Sequence, residues 1–249
     1  MNAIIIHTLY VSCHRYCSED MGVILNVRVF RWLAFVMLGC CFSSCFQIVE
    51  DITVHEDGSG QVTLTANLSQ SRTKLASVML LDSVNGYKIP SQADIRSGLA
   101  TLTKALSAIS GISQVSHQVN FDTYVAVVKF SFDDVSNLNE VMNKAFSEMK
   151  IPVDGRNAYR YDRQQQLFSR QYSHVSQAKA EYDRLKPADQ AVFKDAIYTS
   201  IYRFSRPVER VANPAAKVAA SRRAVMLQTP VLALIDGSQS LSNRIQLSK

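Results

Sequence analysis

The chain has 249 residues, 47% of them apolar and 19% charged, with a formal net charge of +6. That is an ordinary globular composition and excludes a collagen-like, coiled-coil or low-complexity chain. All five cysteines, Cys13, Cys17, Cys40, Cys41 and Cys45, lie at or before residue 45, so the sequence beyond has no disulfide framework and no cysteine zinc site.

In chain order, the first expected element is a secretory leader over residues 1–44, with Met21 a better initiator than Met1. Arg28 and Arg31 supply its positive region, and Trp32 to Leu38 with the small and apolar residues that follow form an apolar stretch of about a dozen residues. That stretch falls short of the roughly 20 residues a membrane-spanning helix needs. Phe42-Ser43-Ser44-Cys45 has the pattern of a lipobox, an apolar residue and two small ones before a cysteine to be acylated. Leu38-Gly39-Cys40 competes with it; Cys45 is preferred because polar, strand-like sequence starts directly after it. Acyl chains on that cysteine add about 0.8 kcal/mol per buried methylene, and more than one chain anchors firmly.

Residues 46–68 read as a β-hairpin. Ile48, Ile52 and Val54 alternate on one face, Val62, Leu64, Ala66 and Leu68 on the other run, and Asp57-Gly58-Ser59-Gly60 makes the turn. Glu50 interrupts the inner face, which places it either at an edge or at a register shift. Leu75, Val78 and Met79 mark a short helix closed by Asn85-Gly86. Ile95, Leu99, Leu102, Leu106 and Ile109 mark an amphipathic helix over 92–110 ending at Gly111. Strands follow at 112–120 and 123–132, the latter with Tyr124, Ala126, Val128, Phe130 and Phe132 on one side. Asp133, Asp134 and Ser136 offer caps for a helix carrying Leu138, Val141, Met142, Ala145 and Met149 inward. The order β-β-α-α-β-β-α predicts an α+β fold, an antiparallel sheet with helices packed on one face.

A soft boundary is expected near 150–156, at Pro152 and Asp154-Gly155. Beyond it come strands at 157–162 and 166–173, helical residues around 175–185, a turn or helix started by Pro187, and a strand at 198–205. Strands at 222–228 and 242–247 then flank a short helix over 230–235. Lobes of 45–150 and 151–249 are expected, unless these later strands join the first sheet. Residues 45–150 carry 8 Lys/Arg against 11 Asp/Glu, and residues 151–249 carry 16 against 8. A basic, β-rich second half suits anionic partners such as lipid head groups, acidic glycans or teichoic-type polymers. Export disfavours nucleic acid.

Tyr159-Arg160-Tyr161-Asp162-Arg163 is echoed by Tyr202-Arg203-Phe204-Ser205-Arg206. Alternation puts Tyr159, Tyr161 and Arg163 on one side of a strand, and Tyr202, Phe204 and Arg206 on one side of another. These six are the candidate ligand-binding residues, an aromatic–guanidinium platform for a sugar ring or lipid phosphate; the competing reading is core aromatics with solvated arginines. Ser71-Arg72-Thr73-Lys74 and Ser176-Gln177-Ala178-Lys179 match S-x-x-K twice, without the partner motifs that give that pattern meaning. His55, His117 and His174 have no close metal spacing. No catalytic residue, metal site or cofactor is assigned.

Cys45-Phe46-Gln47-Ile48-Val49-Glu50-Asp51-Ile52 running into Asp57-Gly58-Ser59-Gly60 resembles bacterial envelope lipoproteins of the LppM-like type, chiefly over residues 38–68, and Ala212-Asn213-Pro214 is similar to the closing segment of some members. The resemblance implies a lipidated N-terminus facing the periplasm or cell exterior and a part in envelope lipid handling; it supplies no catalytic residues. The expectation is a lipid-anchored, non-enzymatic envelope lipoprotein that binds a lipid, glycolipid, glycan or partner protein. The alternative is a hydrolase of envelope polymers, which needs two carboxylates, or a serine and a base, in one cleft. A lipid ligand predicts an apolar cavity with a few polar groups.

Overall fold

A computed structural model describes residues 46–84, 87–148 and 158–249. The leader, Met21, Cys40, Cys45, Asn85-Gly86 and the expected boundary at 150–156 lie outside the described residues. The alternation in 46–68 produces β1 (Gln47–Val54) and β2 (Gly60–Asn67), antiparallel partners from Gln47↔Asn67 to Val54↔Gly60. Gly58 takes φ +83° at the turn, and a side chain at Gly60 would collide with the Thr53 carbonyl and the Phe132 ring.

A short helix α1 (Arg72–Val78) and a two-residue ladder, β3 (Ser83–Val84) with β4 (Tyr87–Lys88), lead to helix α2 (Gln92–Ser107). The small ladder has no sequence signal, being too short to alternate. Ser91 caps α2: its hydroxyl accepts from the Asp94 N–H, and the Asp94 carboxylate accepts from the Ser91 N–H. The helix stops three residues short of the expected 110, and Gly111, at φ +76°, turns the chain into β5 (Ile112–Asn120). Strand β6 (Val125–Phe132) and helix α3 (Asn137–Glu148) follow. Tyr124 takes φ +54° in the preceding turn instead of joining the strand.

In the second half come β7 (Ala158–Asp162), β8 (Leu167–Gln171), α4 (Ser176–Asp183) and α5 (Pro187–Gln190), then β9 (Ile197–Phe204). β10 (Val208–Val211), β11 (Lys217–Val218), β12 (Ala224–Pro230), α6 (Val231–Ile235) and β13 (Asn243–Leu247) complete the chain. β10 and β11 are too short to show a period of two.

The fold is α+β. A seven-stranded sheet has the order β11-β12-β9-β1-β2-β6-β5 and a four-stranded sheet the order β10-β13-β8-β7. Among the described residues all pairings are antiparallel except β1 with β9, which run parallel from Gln47↔Ile197 to Val54↔Phe204. The expected all-antiparallel sheet is thus a mixed one, because the chain re-enters beside β1 only after a long excursion through the second sheet. Residues from both sides of 150 share one buried cluster, among them Ile52, Phe130, Phe168, Tyr202, Val225 and Ile245.

One face of the large sheet carries Ile52, Val62, Phe130, Tyr202 and Val225, brought together by register. It is covered by the four-stranded sheet and by the apolar stripes of α2 and α3. Phe168 of β8 is fully buried between the sheets, with ring centroids 5.0 Å from Tyr202 and 5.6 Å from Phe204. Phe168→Ala is expected to lower unfolding stability by about 3–5 kcal/mol, checked by denaturant melts; a loss under about 1 kcal/mol would mean that the two sheets are not packed through this ring.

Candidate functional site: an apolar cleft beside a buried charge network

Glu50 lies in the middle of the large sheet, in register between Leu64 of β2 and Ser200 of β9. Neither expectation for it, a sheet edge or a register shift, describes its place. It faces inward and meets Arg170 of β8, which is 4% exposed. Arg170 Nη1 donates to Glu50 Oε2 (2.7 Å), Ser200 Oγ (2.8 Å) and the Tyr202 hydroxyl (2.9 Å). The Tyr159 hydroxyl donates to Glu50 Oε1 (2.8 Å) and Ser200 Oγ to Glu50 Oε2 (3.2 Å). The guanidinium also sits 5.0 Å from the Tyr159 ring centroid and 5.9 Å from that of Tyr198.

The electrostatics follow from the enclosure. Burial works against the charge of Arg170, but the facing carboxylate of Glu50, with help from the tyrosines, holds its pKa well above the usual arginine value. Burial, reinforced by Glu50, pushes the phenols of Tyr159, Tyr198 and Tyr202 above their ordinary value, although Arg170 pulls the other way. The Ser200–Glu50 contact pairs a hydroxyl with a carboxylate, and Ser200 is fully buried.

One strand step toward the N-terminal end of β1, the same face opens into a cleft of about 220 Å³ with almost purely apolar walls. Its floor is Ile48, Ala66 and Ala126, neighbours across three strands, with Val119 of β5 beside Ala126. Its roof is Leu75 and Val78 of α1, Met79, Ile89 and Ile95 of α2. Phe46, Phe121 and Tyr124 line its ends. The space exists because Ala66 and Ala126 are small where Val62 and Phe130 fill the same face farther along. Leu64, on that face between the cleft and the core, is 39% exposed.

The six candidate ligand-binding residues are not brought together as an exposed platform. Tyr159 and Tyr202 belong to the buried network, and Phe204 packs on Phe168. Tyr161 is half-buried and its hydroxyl donates to Gln166. Arg163 pairs with Asp134 (2.9 Å) and Arg206 with Glu56 (3.0 Å), both at the surface. The cleft residues had no shared sequence signal, since they come from seven separate segments. His117 bonds Thr103 and His174 the Ile235 carbonyl. Lys179 of the second S-x-x-K is taken by Asp183. Among the described residues no three His, Cys, Asp or Glu side chains converge in a way that would hold a metal, and no helix is long and apolar enough to cross a membrane.

No family model matches the chain, and no curated protein matches it. Among solved structures it is similar to the folded domain of the LppM protein of Mycobacterium tuberculosis, determined by NMR. The likeness has 12% sequence identity and a TM-score of 0.42, over 84% of this chain and 94% of that one.

Removing one member of a buried ion pair strands the other, at a cost of about 3–5 kcal/mol, whereas replacing both with apolar residues is often neutral. Arg170→Met is therefore expected to destabilise by that amount and Glu50→Leu/Arg170→Met by clearly less, measured by chemical denaturation; equal losses would mean the charges do not act as a pair. Because the folded-state pKa values of Tyr159, Tyr198 and Tyr202 are raised above 10.0, their contribution is fully present below that pH and lost as pH rises through the raised values. Tyrosinate absorbance followed in an alkaline titration should show these three ionising only together with unfolding, above pH 10.

Proposed function

We propose that this is a lipid-anchored envelope protein, acylated at Cys45 and exported through residues 1–44, which takes a single acyl chain of a membrane lipid into the cleft. The cleft carries the reading: its walls are almost purely apolar, with Gln47 and Asn120 the amide side chains in its lining. At about 220 Å³ it is smaller than the roughly 300–1,000 Å³ of a typical small-molecule pocket, so it suits one hydrocarbon chain, with the head group left outside.

Position supports the same reading. Phe46, which lines the cleft, directly follows Cys45, so an anchor on that cysteine holds the cleft within a few ångströms of the lipid surface. Each methylene moved from water into such a site contributes about 0.8 kcal/mol. The role is one of binding: the Ser200 hydroxyl, which meets the Glu50 carboxylate on this face, is fully buried. The envelope-polymer hydrolase has no observation in its favour.

The test is to extract the full-length protein from its own membranes and weigh it intact by native mass spectrometry. An acylated Cys45 and a co-purifying lipid are expected. Ala126→Phe, which fills the floor, is expected to remove the bound lipid while leaving the circular dichroism spectrum and the acylation unchanged. Lipid retained by that variant, or no lipid on either protein, would remove the cleft from the function.

A further inference from the structure

The outward face of the four-stranded sheet, on the far side from the large sheet, carries a row of arginines. Register places Arg160 of β7 and Arg244 of β13 on either side of Ser169 of β8, two strand spacings or about 10 Å apart. Arg210 of β10 stands opposite Gln246, and Ala212 donates to the Arg244 carbonyl, so Arg210 and Arg244 are diagonal neighbours at about 7–8 Å. Between them runs an open groove of about 510 Å³ lined by Gln165, Leu167, Arg210, Ala212, Arg244 and Gln246.

These three guanidinium groups differ from others in the molecule. Arg163, Arg203 and Arg206 are each held by a carboxylate, of Asp134, Asp51 and Glu56. Arg160, Arg210 and Arg244 are exposed, and their side chains make no hydrogen bond or ion pair among the described residues. The carboxylates nearest in sequence do not neutralise them: Asp162 accepts from the Gln165 N–H within its own turn, and Glu209 occupies the irregularity in β10. Like charges are set side by side on a rigid sheet, which is unfavourable without an anion to share.

We infer that this row and groove bind an anionic polymer whose oxyanions repeat along a chain, with the guanidinium forks taking the charged groups and Leu167 and Ala212 lying under the uncharged backbone between them. Guanidinium forks match phosphate and carboxylate oxygens in pairs, and a linear row on three strands suits a chain better than a single ion. A polymer is favoured over the anchoring membrane by position. The groove lies on the part of the sheet tied to the C-terminal end of β9, where Leu247 donates to the Gln166 carbonyl and Ser248 to that of Pro207. Phe46 lies at the opposite end of β1, eight residues or about 26 Å of strand from Val54 and four residues or about 13 Å from Glu50, which bonds Arg170 beside Ser169. The inference goes beyond acyl-chain binding and does not depend on it.

The full chain, held in nanodiscs of uncharged phosphatidylcholine, is titrated with poly(glycerol phosphate), with polygalacturonate and with monomeric glycerol phosphate. Separate vesicles of phosphatidylglycerol form the last arm. Salt-sensitive binding of at least one polymer is expected, far tighter than the monomer at equal charge; which polymer binds better assigns phosphate or carboxylate. The Arg160→Gln/Arg210→Gln/Arg244→Gln variant should weaken it by more than about tenfold. Lys104→Gln/Lys129→Gln/Lys217→Gln, which removes the same charge elsewhere, should weaken it far less. Equal loss in both variants, no polymer binding at low salt, or binding only to the vesicles would each overturn the inference.

Discussion

A carboxylate in the middle of a central strand has to be answered from across the core. Glu50 sits between β2 and β9 with no access to bulk water on most sides, and Arg170 from the other sheet answers it. Neither charge would be tolerated there alone. The pair therefore dictates which strand of the small sheet lies over which strand of the large one, and at what level. Tyr159, Tyr202 and Ser200 complete the hydrogen bonds, and Phe168 packs directly beside them. The Nε of Arg170 is left without an acceptor, a cost the rest of the network offsets.

That register has a consequence for the cleft. The small sheet and the helices α2 and α3 cover the core from Ile52 onward, but over Ile48, Ala66 and Ala126 only the start of α2, at Ile95, takes part. The roof at that end is α1 with Met79, Ile89 and Ile95, and the two alanines beneath it leave space. An almost purely apolar cavity on the same sheet face as Glu50 is the outcome. Such walls match the hydrocarbon chain of the proposed lipid.

Much of the architecture was legible in the sequence because its signals are local. Alternation over 46–68 and 123–132, the three-and-four spacing from Ile95 to Ile109, and Gly58 and Gly111 at turns each specify an element within a few residues. The elements that were missed, β3, β4, β10 and β11, are too short to show a period. Tyr159, Tyr161, Tyr202 and Phe204 were noticeable as an aromatic repeat, but sequence cannot tell an inward face from an outward one when both halves of a strand are aromatic or basic. Glu50 was conspicuous for the same reason that it mattered: it broke an apolar face.

The sequence by itself determined the α+β class, the order of the larger elements, the basic character of the second half and the pattern around Cys45, since composition, periodicity and motif are properties of short stretches of chain. Only the tertiary structure decided that β9 pairs parallel with β1, that Glu50 meets Arg170, that seven separate segments enclose one cleft and that three arginines align on one face. Each of those depends on contacts between residues tens to more than a hundred positions apart, and such contacts are chosen by the joint packing of both sheets, which no local pattern encodes.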